Sequence, residues 1–145
     1  MNSLALALNF AAFLAYLERD SAEVGRFASE LIEISTRHNF VYWLATGQIS
    51  RGRARSASGD TAKGISWIEQ GIKEFRAMGV VLNLPGWLAL KAQALHLADR
   101  TFEVLEAINE AEALTERFET ARLLCWTAPT PRRVSHGYGC RGSPN

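Results

Sequence analysis

The stretch GRARSASGDTAKGISWIEQG, residues 52–71, decides how this chain folds. At its centre, Ser58–Thr61 combines a glycine, which favours the end of one helix, with an aspartate and a threonine, which cap the start of the next. Similar turns lie 40 residues away on either side, at Glu18–Ser21 and Ala98–Thr101. Because apolar residues recur at helical spacing between these turns, the sequence predicts antiparallel helix pairs stacked into a solenoid.

These turns divide most of the chain into six predicted helices. The helices are expected over about Ser3–Arg19, from Ser21 to a stop at Asn39, over Val41–Ala57, from Thr61 to a stop at Gly79, over Pro85–Ala98, and from Thr101 onward. Connections of two to five residues make neighbouring helices antiparallel. We therefore predict an all-α fold with about three antiparallel helix pairs in residues 1–124.

Three glycines inside the predicted helices indicate how the second pair packs. A glycine within a helix costs about 1 kcal/mol relative to alanine, so Gly52, Gly64 and Gly71 are expected to allow close helix approach. Together with the Gly59 turn, they look like the small-residue pattern of tetratricopeptide repeats. The other pairs match this pattern less closely, and the units are longer than the common form of about 34 residues. The resemblance implies a tetratricopeptide-like solenoid.

The running text of three segments carries a closer resemblance. The segments are LNFAAFLAYLERD (8–20), LIEISTRHNFVYWLATGQISRGRARSASGD (31–60) and GISWIEQGIKEFRAMGVVLNLPGWLALKAQAL (64–95). Over about residues 5–124 the chain resembles the C-terminal helical-repeat region of bacterial signalling proteins. In those proteins a class III adenylate/guanylate cyclase domain and an ATPase module precede the repeats. The resemblance implies a fragment of such a protein with a role in protein–protein interaction or regulation.

Catalysis is not expected from this sequence. It contains no G-x-x-x-x-G-K-[ST] phosphate loop, so the ATPase activity of the resembled proteins is not carried over. The three histidines and the cysteines Cys125 and Cys140 have no partners at catalytic or metal-ligand spacing. We expect no enzyme activity, no cofactor and no metal site.

Composition and charge narrow the expected partners. The chain has 145 residues, of which 48% are hydrophobic and 21% charged, and its net charge is +1. This balance argues against a nucleic-acid or membrane-surface binder, since both usually carry a basic excess. The apolar run Leu4–Leu17 has no positive residue before it and is too short to span a bilayer, so a buried helix is expected. We predict a cytoplasmic protein with a protein or peptide partner.

The last 21 residues differ in character from the repeats. Residues 125–145 hold three of the four prolines and show no helical period, although a fourth helix pair is expected to begin at Glu119–Leu124. One interpretation is a disordered tail. The other interpretation is a shifted reading frame. Codons for this tail can be chosen so that the reading frame one base later encodes a helix, a glycine turn and the start of a return helix.

The first helix of each pair is expected to line a concave groove, as in tetratricopeptide proteins. The register of Gly52 and Gly59 places a polar and aromatic set of side chains inward. The candidate groove residues are Asn9, Tyr16, Arg53, Ser56, Gln93 and His96. Arg53 points away from Arg51 and Arg55, which share the other side of the helix, and it could bind a carboxylate of a peptide.

Three functions remain open at this point. The groove can bind a peptide, an enclosed apolar pocket between repeats can sense a small molecule, or the repeats can serve as a spacer without a ligand. Ordinary solvent exposure is the alternative interpretation for the groove residues. The identity of the partner and the oligomeric state are not encoded in any motif of the sequence.

Overall fold

The computed structural model of the chain describes residues 2–127 and contains six helices there. The helices are α1 (Asn2–Leu17), α2 (Ser21–His38), α3 (Val41–Ala57), α4 (Thr61–Ala77), α5 (Leu84–Leu97) and α6 (Thr101–Thr127). No strand occurs within this range. The predicted all-α class is therefore confirmed, and the starts and ends of the first five helices lie within about two residues of those predicted.

Left-handed backbone conformations separate the helices at regular intervals. Positive φ angles occur at Arg19, Asn39, Gly59, Gly79 and Asp99. These positions are 20 residues apart, so each helix and its turn occupy one 20-residue unit. A residue in this conformation commonly follows the last turn of a helix and reverses the chain. The 40-residue recurrence of turns seen in the sequence therefore corresponds to a recurrence of helix pairs.

Two aspartates cap the second helix of the first two pairs. The Asp20 side chain accepts a hydrogen bond from the backbone N–H of Glu23 at 3.1 Å, and Asp60 accepts one from Lys63 at 3.3 Å. Each bond satisfies a helix N–H that has no partner within the helix. Helix α5 has no side-chain cap and begins instead with Pro85 in its first turn.

Glycines bring the backbones of α3 and α4 together. A Cβ atom added to Gly52 would lie 2.6 Å from the carbonyl oxygen of Gly64, and one added to Gly71 would lie 2.9 Å from that of Ala45. No other residue type fits at these separations. The early part of α3 lies beside the late part of α4, so the two helices are antiparallel. The expectation of close approach at the glycines is confirmed.

The buried core is divided unequally along the chain. Each helix packs against the next, and α3 also contacts α1 and α5. The larger apolar cluster spans α3 to α6 and includes Ile68, Phe75 and Leu88. Helix α1 contributes only to small clusters, in one of which Leu8 packs with Leu31. The centre of the fold therefore lies in α3, α4 and α5.

The end of the described range corrects one expectation. Helix α6 runs without interruption from Thr101 to Thr127, so no new helix begins at Glu119–Leu124. No glycine or proline occurs between Thr101 and Thr127 to break the helix. The predicted tail of residues 125–145 lies outside the described residues from position 128 onward.

Candidate functional site

A cavity of about 560 Å³ lies where α1, α3 and α5 meet, and we call it the central cavity. Helix α3 forms its middle because it contacts both α1 and α5. The lining residues are Asn9, Phe10, Ala12, Phe13, Tyr16, Val24, Ser50, Arg53, Leu82, Asn83, Gly86, Trp87 and Leu90. The walls are mostly apolar, with a few polar groups, a composition found in many ligand-binding sites.

Arg53 is the charged residue of the central cavity. Its guanidinium carbon lies 3.1 Å from the centre of the Tyr16 ring, so the cation stacks on the aromatic face. Burial lowers the pKa of the Arg53 guanidinium from its ordinary value, although an arginine stays protonated at neutral pH. Among the described side chains, no carboxylate forms an ion pair with Arg53. Its N–H groups are therefore not occupied by a carboxylate of residues 2–127.

A second hydrogen-bond donor of a lining residue also has no acceptor. The indole N–H of Trp87 is buried and unpaired within the described part of the chain. Its ring stacks on Phe75 with centroids 5.8 Å apart. The amide of Asn83 donates to the hydroxyl of Tyr42 at 3.4 Å. Arg53 is therefore the lining residue whose donors are best placed to meet an acceptor on a ligand.

The structure brings three of the six predicted groove residues together and separates the other three from them. Asn9, Tyr16 and Arg53 line the central cavity. Gln93 and His96 are exposed near the end of α5 and do not line it, because the first two turns of α5 form that wall. The polar set is therefore about half the size that the sequence predicted.

Ser56 does not belong to the groove. Its side chain is only 3% exposed, and its hydroxyl donates to the carbonyl oxygen of Gly52 at 3.0 Å. A Cβ atom added to Gly64 would overlap the Ser56 hydroxyl, so Ser56 faces α4. The prediction that Ser56 points into the groove is therefore wrong, because the close approach of α3 and α4 buries the side of α3 that carries Ser56.

The sequence reasoning missed most of the cavity walls. Phe10, Leu82, Asn83 and Trp87 line the cavity but were not among the candidates. One signal was available, since Leu90 lies one 40-residue repeat after Ser50 and both line the cavity. The contribution of residues 82 and 83 depends on the path of the α4–α5 connection, which no periodic pattern encodes.

The opposite side of α3 holds the other two arginines of the basic run. Arg51 stacks on Trp67, with its guanidinium carbon 4.4 Å from the ring centre. Arg55 forms an ion pair with Asp60 at 3.1 Å. Arg53 therefore differs from Arg55, because Arg55 already has a carboxylate partner. The prediction that Arg53 points away from Arg51 and Arg55 is confirmed.

The described residues offer neither a metal-ion cluster nor a membrane-spanning helix. Histidine, cysteine, aspartate and glutamate side chains of this range form no group of three or more that could hold a metal ion. None of the described helices combines the length and apolarity needed to cross a bilayer. Comparisons with protein-family models, curated proteins and solved structures found no match.

Proposed function

We propose that this chain is a non-catalytic, tetratricopeptide-like repeat module that binds a segment of a partner protein in the central cavity. The bound segment presents a carboxylate to Arg53 and apolar side chains to Phe13 and Leu90. The observation that carries this proposal is Arg53 itself, a half-buried cation on the Tyr16 ring with no carboxylate partner among the described side chains. Five fixed N–H donors make a guanidinium well suited to a carboxylate.

Three observations support the repeat architecture. Turns with positive φ angles recur every 20 residues, α3 and α4 approach at glycines, and α3 contacts the first helices of both neighbouring pairs. The last of these is the contact expected when helix pairs stack in one direction, because each repeat then touches only its neighbours. The central cavity lies on the side formed by the first helices of the pairs.

The wider role follows from the resemblance of residues 5–124 to the repeat region of bacterial cyclase–ATPase proteins. In this proposal the module is a fragment of such a signalling protein, acts in the cytoplasm, and regulates it by binding another protein. A net charge of +1 supports a protein partner over nucleic acid or a membrane surface.

A peptide library tests the proposal. The probes are fluorescent eight-residue peptides in which one glutamate is flanked by apolar residues, together with copies that carry glutamine in its place. Charge-assisted hydrogen bonds contribute about 1.5–3 kcal/mol, so Arg53→Ala should weaken binding by roughly 10- to 100-fold. The glutamine copies should bind to the natural chain with a similar loss, measured by fluorescence anisotropy.

Arg51→Ala is the matched control, because Arg51 also stacks on an aromatic ring but lies on the other side of α3. It should leave peptide binding unchanged. Since Arg53 is half-buried, its replacement also removes a cation–π contact of about 0.5–2 kcal/mol, and each variant therefore needs a melting curve. If binding survives Arg53→Ala and is lost in Arg51→Ala, the binding surface lies on the opposite side of α3.

A small-molecule sensor is a second candidate function. The volume of the central cavity, about 560 Å³, falls within the range of 300–1,000 Å³ that is typical of small-molecule sites. An apolar acid small enough to enter the cavity would use Arg53 in the same way. Thermal-shift screening with apolar carboxylic acids separates the two functions, since a sensor is stabilised by such acids and binds no peptide. A spacer responds to neither probe.

A further inference from the structure

Helix α1 is apolar on its exposed side, where Phe10 and Phe13 also line the central cavity. Asn2–Leu17 contains no charged residue, and its inner side buries Ala5, Leu8, Ala12 and Ala15. The outer side carries a row of large apolar residues, which we call the α1 stripe. The members of the stripe are Leu6, Phe10, Phe13 and Leu17, which are 44%, 57%, 52% and 60% exposed. A helix that is apolar all round is normally buried on all sides, yet within residues 2–127 about half of each stripe side chain is left uncovered.

The α1 stripe has an internal symmetry. Successive members are separated by four, three and four residues, so at about 100° per residue all four lie within roughly 60° of one another. Read from either end, the order is leucine, phenylalanine, phenylalanine, leucine. Both the spacing and the residue types are therefore unchanged when the helix is reversed. Such a row is complementary to an antiparallel copy of itself.

We propose that the α1 stripe is an interface between two copies of this chain. The two α1 helices pair antiparallel about a two-fold axis that passes midway between Phe10 and Phe13. Phe10 of each copy packs against Phe13 of the other, and Leu6 packs against Leu17. A two-fold interface requires the same patch on both subunits to be self-complementary, and the symmetry of the stripe meets that requirement.

The size and the charge of this surface both favour a second copy as its occupant. About half of each stripe side chain is exposed, so with Leu14 beside it the patch measures on the order of 500 Å² per copy. Two such patches bury roughly 1,000 Å², the size expected of a reversible dimer. Because α1 is uncharged, two copies meet without repulsion. The exposed surface of α6 also carries apolar residues, but Glu106 and Glu116 lie among them and would place like charges together in a pair of copies.

Sedimentation of the full chain tests the interface. At about 100 µM the natural protein should sediment as a dimer, with twice the monomer mass of 16.0 kDa. Phe10→Glu and Phe13→Lys should each raise the dissociation constant at least about tenfold, because each places an unpaired charge against a phenylalanine. Both positions are exposed in the single copy, so the helicity measured by circular dichroism should stay the same.

Combining the two substitutions in one chain tests the register of the helices. In the antiparallel pair, the introduced glutamate of each copy faces the introduced lysine of the other, so the double variant F10E/F13K should dimerise again at low salt. Phe102→Glu is the control, because Phe102 is also apolar and 74% exposed but lies on α6. It should leave the dimer unchanged.

Three results would overturn the proposed dimer. They are a monomeric natural chain at this concentration, a dimer that persists in Phe10→Glu, and a double variant that stays monomeric. The first would mean that another helix or another protein covers the α1 stripe. Because Phe10 and Phe13 also line the central cavity, a bound peptide and a second copy compete for them. Arg53→Ala should weaken peptide binding and leave the dimer unchanged, so the failure of one proposal can be distinguished from the failure of the other.

Discussion

Small residues have opposite roles in the α3–α4 pair and in α1. Between α3 and α4, Gly52 and Gly64 allow the backbones to touch while Ile49, Ile68 and Phe75 fill the core. In α1 the buried side is made mainly of alanines, and both phenylalanines and four of the five leucines are exposed. The first arrangement stabilises the fold from within. The second leaves apolar surface that is stabilised only when something covers it.

This difference indicates how stability and binding are distributed. The cluster around Phe75 spans four helices, whereas the α1 clusters join two or three helices through a few residues. Structure with few buried apolar contacts opens more easily than structure at the centre of a core. We therefore expect α3 and α4 to set the global stability. Helix α1 supplies one wall of the central cavity and an outer surface for a partner.

The largest expected effect comes from adding one methyl group between α3 and α4. Gly52→Ala places a Cβ atom 2.6 Å from the carbonyl oxygen of Gly64, and a backbone oxygen cannot move away independently. We expect a loss of about 1–3 kcal/mol of unfolding free energy, measured by urea denaturation. Gly25→Ala is the control, since its added Cβ would lie 3.7 Å from the Ala54 side chain. It should stabilise the chain by about 0.5–1 kcal/mol.

Equal changes in unfolding free energy for Gly52→Ala and Gly25→Ala would contradict the close packing of α3 and α4. If Gly52→Ala is tolerated as well as Gly25→Ala, then α3 and α4 are not held at the close approach described above. The packing of Ser56 against Gly64 would then also need revision, because it depends on the same approach.

Amide hydrogen exchange should show the difference between the two regions directly. The amides of α1 should exchange at least about tenfold faster than those of α4, after correction for intrinsic rates, since α1 opens without disrupting the main core. The measurement uses the Phe10→Glu variant so that pairing of two copies does not protect α1. Equal protection in both helices would show that the chain unfolds as one cooperative unit.

Much of the fold could be predicted because each turn is specified by the few residues that form it. Asp20, Gly59 and Gly79 each mark a helix boundary through their own capping or backbone preference, and the structure places boundaries there. The expected start of a fourth helix pair at Glu119–Leu124 was wrong, although it agrees with the 40-residue period. A period does not end a helix without a residue that breaks it, and none occurs before Thr127.

The site was harder to predict, because it depends on how helices are placed relative to one another. Asn9, Tyr16 and Arg53 were found from the register of α1 and α3, where the repeat is regular. The prediction for Ser56 was wrong because the close approach at the glycines packs its side of α3 against α4. The α5 wall was missed because the connection before Leu84 places the beginning of α5 at the cavity. Gln93, which was predicted to line it, lies later in the same helix.

Two tryptophans allow a test at the level of single hydrogen bonds. The indole N–H of Trp43 donates to the Asn2 side chain at 2.6 Å and so ties α1 to α3, whereas the N–H of Trp87 has no acceptor in the described part of the chain. Trp43→Phe should cost about 1 kcal/mol more than Trp87→Phe, because only the first loses a bond. Equal costs would mean that this bond does not hold α1 in place.

The smallest expected effect compares the two aspartate caps, which lie 40 residues apart in the first and second pairs. Both carboxylates accept a bond from the backbone N–H three residues later, so replacing either by alanine should cost about 1 kcal/mol. Asp60 also forms an ion pair with Arg55 at 3.1 Å, and an exposed pair of this kind adds about 0.2–1 kcal/mol.

Asp60→Ala should therefore be the more destabilising of the two, by a few tenths of a kcal/mol, in paired urea titrations at low salt. The Arg55→Ala background isolates the ion pair, because there the two cap substitutions should cost the same. Adding salt should reduce the difference in the natural background, since exposed charges are screened. A larger cost for Asp20→Ala would reverse the comparison, and would mean that the α1–α2 end contributes more to global stability than its small clusters indicate.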